Sequence, residues 1–401
     1  MDRSLPQGLD PARVPTPCFV VDERLIERNL AVLRSVIDRS GCRILLALKG
    51  FAMWSTFPLI ARSLHGCTSS SPHEARLARE EFARGTNERE VHAFAAGYSE
   101  ADVRELATLC DHIVFNSFNQ WKRYRGIVRE SGREVECGIR VNPEHSEGAV
   151  PIYDPCSPGS RMGVLRKDFE PAELDTPAGR IVGLHFHTLC EQNADALART
   201  LPHVEEKFGE FFPRMKWLNF GGGHHISRPD YDVDLLVNEV NRIKAKYGLQ
   251  VYLEPGEAIA LDTGVLVATV LDIIDNQGKI AILDTSAAAH MPDVLEMPYR
   301  PRCALLTGGD GENAGQLGEK AHDYRLAGHS CLAGDVIGAY SFERELQVGD
   351  KLAFMDMAIY SMVKTTTFNG LQLPSIAKIT GEGEFRMVRR FGYEDFRGRL
   401  S

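Results

Sequence analysis

Lys216-Trp217-Leu218-Asn219-Phe220-Gly221-Gly222-Gly223 and, further on, Gln250-Val251-Tyr252-Leu253-Glu254-Pro255-Gly256 decide the fold. Each is a short apolar run that stops at a glycine turn, and residues 231–247 between them read as a helix. A short strand, a helix and a second short strand form a parallel pair joined by a right-handed crossover. Working outward, the same unit recurs. Candidate strands are 43–48, 66–69, 91–95, 112–116, 136–142, 181–187, 216–221 and 250–254. Helical segments at 73–83, 99–109, 117–129, 194–212 and 231–247 separate them. Eight such units close into a barrel more naturally than they form an open sheet. The expectation is an α/β chain with a (β/α)8 TIM-type barrel over residues 22–259. Its first helix starts at the N-cap Asp22, with Leu25, Ile26, Leu30, Leu33, Val36 and Ile37 on the buried face.

After Gly256 the pattern changes. Runs at 265–274, 279–283, 336–340, 351–355 and 358–363 are strand-like, and turns fall at Asn276-Gln277-Gly278 and Val348-Gly349-Asp350. This predicts an all-β, sandwich- or barrel-like C-terminal domain over 260–401, joined by a strand at 14–21. Residues 143–165, with Pro143, Pro151, Pro155, Pro158 and Gly159, read as a long ordered loop, and such loops are often functional. The glycine-rich segment 305–320 reads as a mobile surface excursion.

The 401 residues carry 25% charged and 43% hydrophobic side chains, ordinary for a globular protein. A net charge of -9 argues against nucleic acid as a partner. No apolar run approaches the ~18 residues of a membrane span. The start, Met1-Asp2-Arg3-Ser4-Leu5-Pro6, lacks the apolar core of a signal peptide. Nine cysteines without a CxxC pair read as reduced thiols in a cytoplasmic protein, most of them packing residues.

In a closed parallel barrel the C-terminal strand ends share one rim, where barrel enzymes do chemistry. Here those ends carry Lys49, His185-Phe186-His187, Gly221-Gly222-Gly223 and Glu254. Desolvation lowers a lysine pKa, and a neutral amine can condense with an aldehyde; the bland alternative is a lysine that snorkels to solvent. A carboxylate such as Glu254 can hold a proton on a pyridine nitrogen, or merely cap or pair. Three glycines after a seventh strand let amide N–H groups approach a phosphate, although such a triplet is most often just a turn. His187 suits stacking on a flat ring, and His185 suits a satisfied core position. With His224 and His225 the two also raise a zinc cluster, without the usual ligand spacing. The set suits a lysine-bound aldehyde cofactor with a phosphate tail and no metal. Cys331, in Gly328-His329-Ser330-Cys331-Leu332-Ala333-Gly334-Asp335, is a candidate general acid.

Several motifs then point to a family. They are Leu46-Ala47-Leu48-Lys49 with Phe51-Ala52-Met53-Trp54, Phe115-Asn116-Ser117-Phe118, Tyr153-Asp154-Pro155-Cys156, and His185-Phe186-His187-Thr188-Leu189-Cys190-Glu191-Gln192. Asn219–His225, His290–Pro301, Cys331–Asp335 and Thr367-Phe368-Asn369-Gly370 continue the series over nearly the whole chain. The chain resembles the fold-type III pyridoxal-phosphate decarboxylases, the alanine-racemase-like group that includes ornithine and diaminopimelate decarboxylases.

That resemblance implies pyridoxal 5'-phosphate as cofactor. Lys49 then resembles the lysine that carries it, His187 the ring-stacking histidine and Glu254 the pyridine-nitrogen partner. Gly221, Gly222 and Gly223 resemble the phosphate cradle, Tyr360 a phosphate-contacting tyrosine, and Glu74 a rim glutamate near the lysine. Cys331 resembles the acid that protonates the substrate Cα from a second subunit, which implies a homodimer with composite sites. The relatives carry serine at the position of Cys190 and usually arginine at that of Glu257. The chain is similar instead to the carboxynorspermidine and carboxyspermidine branch, which shares Thr-Leu-Cys-Glu-Gln and Glu-Pro-Gly-Glu. A small cationic carboxylated polyamine substrate follows, with Asp335, Asp293 and Glu296 as candidate ligands of its distal amines. The competing readings are a diaminopimelate decarboxylase or racemase of the same fold, a non-catalytic regulatory protein and a zinc hydrolase.

Overall fold

The computed structural model describes residues 5–86, 88–148, 154–308 and 311–401. Pro151 and Tyr153 of the expected loop and motif, and residues 309–310 of the glycine-rich segment, lie outside the described residues. The chain forms two compact units. One is Arg28–Ile259; the other joins the segment up to Glu27 with Ala260–Ser401. Strand β1 (Cys18–Asp22) belongs to the second unit.

The first unit is a closed parallel barrel. Its strands are β2 (Arg43–Ala47), β3 (Gly66–Ser69), β4 (Glu90–Phe94), β5 (His112–Phe115) and β6 (Glu136–Arg140). A two-residue stub, β7 (Asp175–Thr176), pairs antiparallel with β8 (Gly179–His185), and β9 (Trp217–Asn219) and β10 (Gln250–Leu253) complete the set. Neighbours pair in sequence order, β10 pairs with β2, and β6 pairs with β8 across the stub, so the ring has no open edge. Trp217 fills the lumen: a Cβ at Gly183 would sit 2.1 Å from its indole and one at Gly138 2.4 Å away. Those two glycines are therefore the space into which the ring packs. Caps set the helix starts: Ser99 and Asp102 form a reciprocal capping box, and Ser117, Asn193 and Asp232 each accept an amide of the first turn.

Three expectations along the barrel change. The helix read over 194–212 ends at Phe208 and tightens into a 3-10 segment at Gly209–Arg214, where glycine and Pro213 interrupt it. The helix read over 73–83 runs over Pro72–Leu77 and widens into a π turn at Ala78–Phe82. Strand 216–221 is only Trp217–Asn219, because Gly221 turns the chain at φ 71°.

The second unit is a ten-stranded, mostly antiparallel sheet system. Its strands are β11 (Gly264–Asp275), β12 (Lys279–Leu283), β13 (Cys303–Leu305), β14 (Glu312–Asn313), β15 (His322–Ala327), β16 (Val336–Phe342), β17 (Lys351–Met355), β18 (Ser375–Ile379) and β19 (Phe385–Arg389), with β1. β1 pairs antiparallel with β11 and parallel with β18. A bulge between Val270 and Asp272 lets β11 leave β17 and take up β12, which extends the sheet through β15 and β16. Cys18, Val20, Val265, Val267, Ala353, Ala377 and Ile379 share one buried cluster.

Two readings of this unit change. Residues 358–363 are not a strand: Tyr360 adopts φ 48°, which breaks extended backbone, and a short helix follows at Ser361–Lys364. The described part of 305–320 is held, not loose. β13 pairs with β14, and Lys320 Nζ donates to Glu312 Oε1 at 2.8 Å and to the Asn313 carbonyl at 2.6 Å.

Candidate active site at the C-terminal rim of the barrel

The chain turns immediately after β2. Gly50 and Phe51 donate amides to the Ala47 carbonyl at 3.0 and 3.3 Å, and a Cβ at Gly50 would lie 2.9 Å from Gly256 Cα. The two glycines bring the Lys49 turn against the segment that follows β10. Lys49 is exposed and makes no hydrogen bond or ion pair among the described residues. Desolvation by the surrounding protein, and then the Arg140 cation, push its amine below the ordinary lysine range; Glu254, Glu257 and Cys190 oppose them.

Glu254 directly follows β10, and its amide donates to the Gly221 carbonyl at 2.8 Å. The side chain is buried. Its Oε1 accepts from Asn219 Nδ2 at 2.7 Å, and its Oε2 lies 3.5 Å from His185 Nε2. Burial pushes the carboxyl up, but His185, with Asn219 and the more distant His92, outweighs it and holds the group at about 2. Glu254 is an anion at neutral pH.

His187 follows β8. The Gly222 amide donates to its Nδ1 at 2.9 Å, so the neutral ring carries its proton on Nε2. Desolvation, then the Lys49 and Arg140 cations, hold it well below the usual histidine range. The glycine triplet has a second reason to be glycine. A Cβ at Gly221 would meet the Phe186 carbonyl at 2.5 Å, one at Gly222 the Glu254 carbonyl at 2.5 Å, and one at Gly223 the Leu189 carbonyl at 2.0 Å. Two of the three amides are already engaged, Gly221 by Asn219 Oδ1 and Gly222 by His187. Only the Gly223 amide has no acceptor among the described residues.

Around this centre, Glu74 accepts the Ser70 amide at 2.6 Å, and desolvation raises its pKa against the pull of Lys49. Cys190 is exposed and Cys156 half-buried, so neither is a core thiol as read from the sequence; all nine cysteines are free. Glu257 pairs with His225. Among the described residues the four rim histidines form no ligand set, because His185, His187 and His225 face Glu254, the Gly222 amide and Glu257 in turn. The group that does gather, Glu90, His92 and His112, lies at the opposite end of the strands. There the two imidazoles stack at 3.9 Å and 22°, so their in-plane lone pairs diverge from a common ion.

Sequence reasoning passed over Asn219 and Arg140. Arg140 is 4% exposed, reaches the His187 carbonyl at 3.2 Å and lies 4.6 Å over the Phe94 ring. Its signal was available, since an arginine ending an apolar strand raises the same question of costly burial that singled out Lys49 in the sequence.

In the second unit, Cys331 is exposed on a loop held at two points. Its amide donates to Asn369 Oδ1 at 2.7 Å, and the preceding Ser330 hydroxyl donates to Asp335 Oδ2 at 2.5 Å. Asp335 is 3% exposed and also accepts from Ser286 Oγ at 2.8 Å and from the Ala287 and Ala288 amides at 2.7 and 3.3 Å. This corrects its assignment as an amine ligand: the carboxylate is saturated inside the protein and ties the cysteine loop to the start of helix Ala287–His290. Asp293 and Glu296 both pair with Lys364, so their charge is partly spent as well. Tyr360 is half-buried at its strained φ of 48°.

Residues 18–358 match the family described as pyridoxal-dependent decarboxylase, C-terminal sheet domain. The chain belongs to the pyridoxal-dependent decarboxylases. Within that family it is 42% identical over 387 residues to the carboxynorspermidine/carboxyspermidine decarboxylase of Campylobacter jejuni, covering 96% of this chain and 98% of that one. The crystal structure of the Campylobacter jejuni carboxynorspermidine decarboxylase complexed with norspermidine superposes with a TM-score of 0.84 over 96% of this chain and 100% of that chain. The carboxyaminopropylagmatine decarboxylase of a Synechocystis strain is 44% identical over 391 residues, 96% of each chain. A diaminopimelate decarboxylase of Archaeoglobus fulgidus stands at 24% identity over 92% of this chain and 88% of its own.

The rim fits the family's cofactor. It offers an amine with lowered pKa and no partner among the described residues, a neutral imidazole fixed by one amide, a buried carboxylate held ionised and a free glycine amide. An aldehyde, a flat ring, a basic ring nitrogen and a phosphate are the complements of those four groups.

Proposed function

We propose that the protein decarboxylates a carboxylated triamine, carboxynorspermidine or carboxyspermidine, with pyridoxal 5'-phosphate on Lys49. The observation that carries this reading is the joining of the Lys49–Glu254–His187 rim to near full-length similarity with decarboxylases of such substrates. The much lower identity to the diaminopimelate decarboxylase weighs against a dicarboxylic substrate. The 44% identity to a carboxyaminopropylagmatine decarboxylase supports a second reading, in which the far end of the substrate is a guanidinium.

When bound, the cofactor supplies the electron-accepting ring that lets the substrate α-carboxylate leave as carbon dioxide. Lys49, with its lowered pKa, would be the amine that holds the cofactor aldehyde. Glu254, anionic, keeps a proton on the ring nitrogen. His187 offers the ring its face, with Nδ1 tied back to Gly222. The Gly223 amide, which has no acceptor among the described residues, would donate to the phosphate. Cys331 of a second copy delivers its thiol proton to Cα, and the carboxylates of Asp293 and Glu296, which share the single cation of Lys364, keep a net negative charge for the distal cation. Leu332 and Phe368, exposed beside Cys331, support a homodimer at this loop.

The test is carbon dioxide release from carboxynorspermidine, carboxyspermidine, carboxyaminopropylagmatine and diaminopimelate offered in parallel. The expected order of kcat/KM places the first two highest. Preference for the guanidinium substrate establishes the second reading, and turnover of diaminopimelate alone refutes both.

A further inference from the structure

The decarboxylase reading needs Glu254 charged, and burial alone would neutralise it. The groups that face its carboxylate are His185 from β8 and Asn219 from β9, with Lys49, Arg140 and His92 further off. Asn219 covers only Oε1. His185 is 2% exposed and sits in the wall between Phe94, whose ring centroid is 5.3 Å away, and the carboxylate. Neither ring nitrogen of His185 has a well-formed hydrogen bond among the described residues, and the one acceptor within reach is Glu254 Oε2 at 3.5 Å from Nε2. A neutral imidazole has one N–H, and here it has one place to go.

We propose that His185 is a positioning residue for the cofactor-facing carboxylate: its Nε2–H, opposite Asn219, fixes the plane of Glu254 and keeps it ionised. Its neutrality is part of the role. An imidazolium at this position would take up the charge that Glu254 owes to the ring nitrogen, whereas a neutral donor orients the carboxylate and leaves that charge free. Burial, with Arg140 and Lys49, disfavours the imidazolium despite Glu254. A core histidine held only by packing would tolerate an apolar residue of similar size; a donor to Glu254 would not.

The kinetic arm of the test rests on the proposed decarboxylation, and the spectroscopic arm does not. Full-length protein carrying 13C-labelled glutamate is followed by NMR against pH, with and without pyridoxal phosphate, and the Glu254 signal is assigned by its loss in E254Q. In the parent protein the Glu254 carboxylate should stay ionised down to about pH 4, below the ordinary glutamate value of ~4.3. In H185L it should titrate at least about one pH unit higher than in the parent, a tenfold change in proton affinity. H185Q, whose amide reaches the place of Nε2, should stay close to the parent; H185N, whose amide reaches that of Nδ1, should follow H185L. In turnover, kcat should fall about tenfold or more in H185L and H185N with KM within about twofold, and H185Q should recover most of it. If H185L fails to fold, the glutamine and asparagine pair decides. An unmoved Glu254 titration in H185L, or equal behaviour of H185Q and H185N, overturns the proposal even where the enzyme decarboxylates its substrate. A parent protein that turns over no substrate while the titration shifts as expected overturns the function and leaves the positioning role standing.

Discussion

The two ends of one barrel are built from the same residue types and spend them differently. At the N-terminal ends of the strands every charge in the cluster has a partner. Arg43 pairs with Glu90, which His92 and Tyr252 also contact, while Glu136 takes Lys216 and the Trp217 indole N–H at 2.9 Å. His92 and His112 stack between them. At the C-terminal rim, Lys49 has no hydrogen bond or ion pair and Arg140 no carboxylate within ion-pair distance among the described residues. Glu254 there is charged without a cation in contact. Paired charges close a barrel, whereas charges held unpaired are costly and persist where a ligand completes them. The difference sets the C-terminal rim apart, without reference to any relative, as the end where the proposed chemistry is assigned.

The largest effect expected at the rim is that of Lys49→Ala. It should abolish the visible absorbance of bound pyridoxal phosphate and lower kcat by more than about 10^3-fold, a minor part of the acceleration enzymes supply. Glu254→Gln should cost about 10^2- to 10^3-fold in kcat with little change in KM, the scale seen when one preorganised electrostatic group is lost. Retained turnover in either variant would erase the contrast between the ends.

The same Glu254 sharpens the comparison through pH. Its folded pKa of about 2 lies below the unfolded ~4.3, so it adds stability that is fully present above the unfolded value and is lost as pH falls toward 2. The stability advantage of the parent over Glu254→Gln, measured by denaturant unfolding, should therefore shrink progressively from about pH 5 downward. A constant difference across that range would mean that the carboxylate is not held charged.

Two further substitutions separate the cost of packing from its effect on turnover. Asp335→Ala strands the donors of Ser286, Ser330 and Ala287 and should cost at least about 3 kcal/mol of stability, since each buried unpaired donor costs ~1–3 kcal/mol. With its cysteine loop loosened, kcat should fall while KM stays near the parent value; a rise in KM alone would restore the amine-ligand role. Gly183→Ala at the opposite end must displace Trp217 and should lower stability by about 1–3 kcal/mol, with kcat of the folded enzyme unchanged.

The barrel was legible because each strand end is marked where an apolar run stops on a chemically distinct residue, as at Lys49, His187 and Glu254. The alternation of short runs with helical segments gave all eight barrel strands within a few residues. The C-terminal unit was less legible at Tyr360, where a left-handed residue ends what reads as an apolar strand. Asp335 was misread because its partners, Ser286 and Ala287, are far away in sequence and nothing local distinguishes a surface carboxylate from a buried clamp. The glycine triplet was read for a phosphate, but close approach to Phe186, Leu189 and Glu254 already demands glycine there. His185 looked like core because its one acceptor lies at the end of a strand that follows it by two crossovers.

The most direct test of the rim as the catalytic end is borohydride reduction of the protein loaded with pyridoxal phosphate, followed by mass mapping of its peptides. The expected result is a single pyridoxyl group on Lys49, absent from Lys49→Ala. A label on any other lysine, or none on a protein that decarboxylates its substrate, contradicts it.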